Sequence, residues 1–252
     1  MPSTVSTKLT TLTVQAAFCG LVLLALMVLS RVSPLMPPLG KLAAALGDLL
    51  VSAEFYRHLG ITLYEAFTGL VIGAVLGIAI GLATGASRTA TEFLNPIILS
   101  LYSVPKIIFL PVLLILLGPG LAAKIANAAV HALFPVLLNT MVGMREVDRL
   151  HLRVARSMLA TRTQMATKVY APSMALPVLT GIRLGTGLAF MGALLAELFE
   201  SKAGIGYLIN QHYSKGLIAE LLCTIFLMLV LIMSLNAVLQ AAQNRLTRWR
   251  RE

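Results

Sequence analysis

The chain has 252 residues, 58% of them hydrophobic and only 12% charged, with a mean hydropathy of +0.88. That balance excludes an ordinary soluble domain and predicts an integral membrane protein. The formal net charge of +10 would suit a nucleic-acid binder, but in a membrane protein Lys and Arg first report the orientation of the loops, so no nucleic acid is expected as a partner.

Six apolar stretches are long enough to cross a bilayer: residues 13–32, 60–84, 96–117, 122–143, 176–199 and 216–241, at about 20 residues for each crossing. They make one all-α polytopic domain, 1–252. The first stretch follows Lys8 with no prompt small-x-small cleavage site, so it reads as a retained span. After it, Pro34, Pro37 and Pro38 open a segment in which Leu42, Ala45, Leu46 and Leu49 recur at helical spacing, which predicts a short helix resting on the outer surface. The second span carries Gly69, Gly73, Gly77, Gly81 and Gly85 at every fourth position, a smooth stripe along which another helix can approach closely. Packing, not a pore lining, is its expected use. A short polar loop follows at 86–93. Pro105, Lys106 and Pro111 interrupt the third span, and Gly118-Pro119-Gly120 turns it into an outer hairpin with the fourth.

Between the fourth and fifth spans lies a polar, Arg-rich tract, 145–172. In it Arg149, Arg153 and Arg156 recur at helical spacing, and Leu150, Val154 and Met158 repeat every fourth residue on a neighbouring face. The tract predicts a short amphipathic helix at the membrane surface. Six spans put it on the same side as both termini, and that side holds most of the basic residues. The positive-inside rule makes it cytoplasmic. After the fifth span comes a polar, Gly-containing link, 200–206. The closing Arg245, Arg248, Arg250 and Arg251 cluster meets lipid headgroups at the inner edge.

Buried charge is costly in a bilayer, which singles out Glu65, Lys106, Arg183 and Glu197. Lys106, Arg183 and Glu197 are candidates to line a translocation path. Arg183 and Glu197 stand about 21 Å apart along one helix and cannot pair with each other. Glu65 and Glu197 also suit structural hydrogen bonding near span ends, and Lys106 either lies within its span or snorkels from its edge. Cys19 and Cys223 both fall in apolar surroundings and suggest neither a disulfide nor a metal cluster. His58, His131, His151 and His212 are scattered without ligand spacing, no nucleophile constellation stands out, and no Gly-x-x-x-x-Gly-Lys-Ser/Thr loop is present. The chain is therefore not expected to be an enzyme or to hold a cofactor.

Arg153-Val154-Ala155, then Leu159, then Val169-Tyr170-Ala171-Pro172 follow the spacing of a Glu-Ala-Ala, Gly, Ile-x-Leu-Pro pattern. That pattern resembles the cytoplasmic loop of permease subunits of binding-protein-dependent ABC importers. Leu176-Pro177, Gly181-Ile182-Arg183, Ala196-Glu197 and Gly204-Ile205-Gly206, with Pro105-Lys106, Pro111, Gly118 and Lys124 upstream, are similar to the nitrate, sulfonate and taurine branch. The resemblance covers roughly residues 59–210. It departs at two positions: an arginine, Arg153, replaces the acidic residue, and Leu159 replaces the glycine.

The resemblance implies a type I importer permease fold in a bacterial inner membrane and import of a small solute, an anion of the sulfonate, nitrate, taurine or aromatic carboxylate class. It implies a second permease copy, two cytoplasmic ATPases that hold the ATP and Mg, and an extracytoplasmic binding protein. The ATPase-coupling residues would be Arg149, Arg153, Val154, Ala155, Arg156, Leu159, Ala160 and Pro172. The competing expectation is a self-sufficient carrier or channel working through the intramembrane charges, although no sequence repeat relates the two halves.

Overall fold

The computed structural model describes residues 36–199 and 201–246. The expected span at 13–32, with Lys8 and Cys19, and the residues Glu200, Arg248, Arg250 and Arg251 lie outside them. Among the described residues every regular element is helical.

The outer segment forms helix α1, Leu39–Val51. Ser52 ends it in extended conformation and at once caps α2, Ala53–Gly85, its Oγ accepting the Phe55 amide at 3.2 Å. Ala45 and Leu49 are buried, and the Leu42 carbonyl receives Cys223 Sγ at 3.3 Å, so this helix is packed onto the last described helix. Ser87 caps the next helix, α3, Arg88–Ser103, and Thr91 Oγ1 donates to Thr84 O at 2.8 Å across the turn. The polar loop expected at 86–93 therefore shrinks to Ala86 and Ser87.

The third span is not a single rod from 96 to 117. Pro105 has no amide hydrogen and biases the preceding residue away from helix, and Val104 is extended (φ −67°, ψ 131°). The chain resumes in a 3-10 turn, Lys106–Ile108, and α4, Phe109–Leu117, bent by 80° from α3. Gly118, with φ 77°, ends α4. Then come α5 (Leu121–Arg145), α6 (Arg149–Ser157), α7 (Arg162–Phe199), α8 (Ile205–Ser214) and α9 (Ile218–Leu246). The helices α2, α5, α7 and α9 are long and apolar enough to cross a membrane, and the bent pair makes a fifth if it counts as one span.

The core is a three-helix sandwich in which α5 packs on both α2 and α7, and those two also touch each other. Its α2 face is built by the glycine stripe: a Cβ placed on Gly69, Gly73, Gly77, Gly81 or Gly85 would meet α5 atoms at 2.5 to 2.8 Å. Lipid is as apolar as the side chains, so membrane helices associate through close van der Waals packing instead of water expulsion. Small residues answer the stripe, with Ala128, Ala132 and Val136 fully buried. On an adjoining face of α5, Gly181 and Gly185 bring α7 against the carbonyls of Pro135 and Ala132, and Gly185 also approaches Leu70 of α2. The stripe is thus a helix-packing surface, as its spacing indicates.

Candidate functional site

The two polar regions of the molecule sit at opposite ends of the sandwich. At one end, where α5 stops and α7 begins, Asp148 Oδ1 accepts the Leu150 amide at 2.7 Å and starts α6. Arg153 and Arg156 are exposed on this helix. So are Leu150, 62% exposed, and Val154, 50%, on the helix and Met158, 77%, and Leu159, 88%, just past its end, while Leu152 and Ala155 are half-buried. Arg153, Arg156, Leu150, Val154 and Met158 of the two expected faces are thus uncovered by the described chain.

Helix α6 ends in a Schellman turn: the Leu159 amide donates to Arg156 O and the Ala160 amide to Ala155 O, each at 3.0 Å. The turn needs a left-handed residue, and Leu159 takes it with φ 54°, at a cost of about 1–2 kcal/mol for a residue with a Cβ. This is the position where the resemblance expects glycine. Two residues on, a capping box begins α7: the Thr161 amide donates to Gln164 Oε1 at 2.9 Å and the Gln164 amide to Thr161 Oγ1 at 3.3 Å.

From Arg162 the tract is already helix, running unbroken to Phe199, and Pro172 lies within that helix, apart from the α6 residues it was grouped with. A proline removes one ladder bond, and the ladder just before it widens to a π-helix over Met165–Tyr170, the kind of register change that lets a helix pass such a residue.

At the other end, three side chains receive the amides that open α8. Gly204 N–H donates to His58 Nδ1 at 2.9 Å, Ile205 N–H to Thr62 Oγ1 at 2.8 Å, and Gly206 N–H to Glu197 Oε2 at 2.7 Å. Thr62 Oγ1 in turn donates to Glu197 Oε1 at 2.7 Å. This clasp satisfies the orphan donors of a helix start and places a carboxylate at its positive end. It requires Gly204, whose φ is 111° and whose Cβ would collide with the Glu197 carboxylate. Beside the clasp, fully buried Glu65 pairs with Lys124, which also donates to Ser201 Oγ at 3.2 Å.

The expected path residues are therefore not assembled together. Glu197 is 1% exposed and engaged by Thr62 and Gly206, so it lines no open path in this conformation. Lys106 sits at the α3–α4 bend, donating to Tyr102 O at 2.9 Å with its ammonium 4.3 Å from the Tyr102 ring centroid and 5.4 Å from that of Phe134. Arg183 is half-buried on α7 and shares no hydrogen bond or ion pair with either of the others among the described residues. Sequence reasoning missed Lys124 as the partner of Glu65 and Thr62 and His58 as members of the clasp. The available signal was the rule that a buried acid needs a partner.

Residues 44–252 match the model of the binding-protein-dependent transport system inner membrane component family. The chain is 31% identical over 203 residues to the putative aliphatic sulfonates transport permease protein SsuC of Bacillus subtilis (strain 168), covering 81% of this chain and 74% of that one. It is 28% identical over 230 residues to the taurine transport system permease protein TauC of Escherichia coli (strain K12), covering 89% and 84%. Its fold is that of a chain of the MetNI methionine ABC transporter in an inward-facing conformation, with a TM-score of 0.56 and 22% identity over 77% of this chain and 92% of that one. The chain belongs to the family of binding-protein-dependent transport system inner membrane components.

Proposed function

We propose that the chain is the permease through which an ABC importer passes a small sulfonate-class anion into the cytoplasm. The observation that carries the reading is α6, a capped helix that turns Leu150, Arg153, Val154 and Arg156 to solvent, held between the ends of two membrane helices. Such a surface suits a protein groove. A separate cytoplasmic ATPase, holding ATP and Mg, would take it, and two permease copies with two ATPases and an extracytoplasmic binding protein would complete the transporter in the inner membrane. Both chain termini would lie on the α6 side. ATP-driven closure of the ATPases would move α6, and the rigid α5 and α7 would carry that movement to the bundle. The sulfonate class rests on the two named relatives, and the Lys106 ammonium, near the Tyr102 and Phe134 rings and without an ion pair among the described residues, is compatible with an anionic solute. A self-sufficient carrier finds less support, since Glu65 and Glu197 are occupied by partners within the subunit.

Arg156→Glu reverses a charge on the exposed docking face. In proteoliposomes holding the complete transporter, ATP-driven uptake should be lost while the variant keeps its wild-type thermal stability. Unchanged uptake would overturn the docking assignment.

A further inference from the structure

We infer that Leu159 is an apolar anchor that inserts into a pocket on the ATPase subunit, and that the rim of this pocket is acidic. The inference rests on the reading that α6 docks on such a subunit. Leu159 is unfavourable twice in the chain alone: its backbone is left-handed at φ 54° and its side chain is 88% exposed. The left-handed backbone serves the turn that closes α6, but glycine would serve it without strain, and the exposed side chain adds little to the packing of the described residues. A leucine here becomes useful if its side chain is buried by something else.

The turn also holds the side chain ready. The Schellman bonds of Leu159 and Ala160 lock it on one side, and the Thr161–Gln164 capping box locks it on the other. A side chain presented in a fixed direction loses little freedom on binding, which is how protruding anchors yield affinity. Met158, 77% exposed, stands beside it and widens the apolar contact.

A lipid surface is a poor occupant. Helix α7 has 38 residues and is about 57 Å long, against about 30 Å of hydrocarbon. Its polar end is the one next to α6, with Arg162, Thr163, Gln164 and Lys168 all exposed. That end therefore projects out of the bilayer and holds Leu159 away from the acyl chains. A second copy of this chain is also a poor occupant, because Arg153, Arg156 and Arg162 would face their own counterparts. The two nearby acids, exposed Glu146 and Asp148, which caps α6, leave this face net basic beside Arg153, Arg156 and Arg162. An acidic rim around an apolar pocket answers both the arginines and the leucine.

The test uses the full chain in nanodiscs and the ABC ATPase that copurifies with it, purified separately. Binding of that ATPase is measured for wild type, Leu159→Gly and Leu159→Met, together with the thermal midpoint of each permease alone. Glycine is at home in the left-handed region, so Leu159→Gly should be at least as heat-stable as wild type while its Kd rises by about tenfold or more. Leu159→Met should bind within about threefold of wild type, since it refills the pocket at similar volume. Equal affinity of Leu159→Gly and wild type would overturn the anchor and return the patch to the lipid surface. If wild type itself binds no ABC ATPase, the docking reading fails first and the anchor with it, and the wild-type measurement tells the two failures apart.

Discussion

Replacing Gly73 by alanine puts a methyl group 2.6 Å from Ala129 O, 2.9 Å from Ala132 Cβ and 3.1 Å from Leu133 N. Two of these atoms belong to the α5 backbone, so no rotamer change relieves the clash and the helices must move apart. The stripe touches α5 at every turn, and separation at Gly73 loosens the contacts of Gly69 and Gly77 as well. Overpacking of this kind costs about 1–3 kcal/mol, offset by about 1 kcal/mol of helix propensity gained over glycine. The net loss of up to about 2 kcal/mol lowers the thermal midpoint by up to about 8 °C in a chain of this size. Gly60, on the same helix, has nothing within 4 Å of an added Cβ, so Gly60→Ala should be neutral or slightly stabilising. Buried Cys223 supplies the assay: with Cys19 replaced by serine, a thiol-reactive fluorophore reports opening of the bundle in detergent. If Gly73→Ala and Gly60→Ala behave alike, the stripe is not the tight seam described here.

Lys124→Met should destabilise by about 3–5 kcal/mol, because it leaves the Glu65 carboxylate buried without its cation; adding Glu65→Gln should restore most of the loss. A double variant as unstable as the single one would show that the pair matters through packing alone. His212 on α8 is buried, which holds its pKa below the ordinary histidine value, with Lys215 acting in the same direction against Glu220 and Glu54. A depressed folded-state pKa contributes stability above the unfolded value that is lost as pH falls through the folded one. The thermal midpoint should therefore drop between about pH 7 and pH 5, and drop less in His212→Gln. An identical pH profile in that variant would exclude His212 as a contributor.

Much of the architecture is legible along the chain because it depends on neighbours in sequence. Hydropathy separates the long apolar helices, the four-residue glycine period marks a packing face, and the alternation of arginine and leucine marks α6. The apolar period of residues 42–49 likewise marks α1. Those signals repeat at the pitch of the helix itself, so they survive without knowledge of the fold. The segment around Pro105 shows the limit: a proline announces a break, but the 80° bend depends on what each arm packs against.

Tertiary structure alone decides which helix fills the stripe and how the buried charges are answered. Thr62 and Glu197 meet across 135 residues, and Glu65 finds Lys124 from another helix. Such pairs leave no periodic trace, because each member is placed by packing elsewhere in the bundle. That placement is why Glu197, expected along a path, instead helps clasp the start of α8. The left-handed turn at Leu159 is of the same kind: leucine carries no sequence signal for positive φ, and only the Schellman bonds closing α6 impose it.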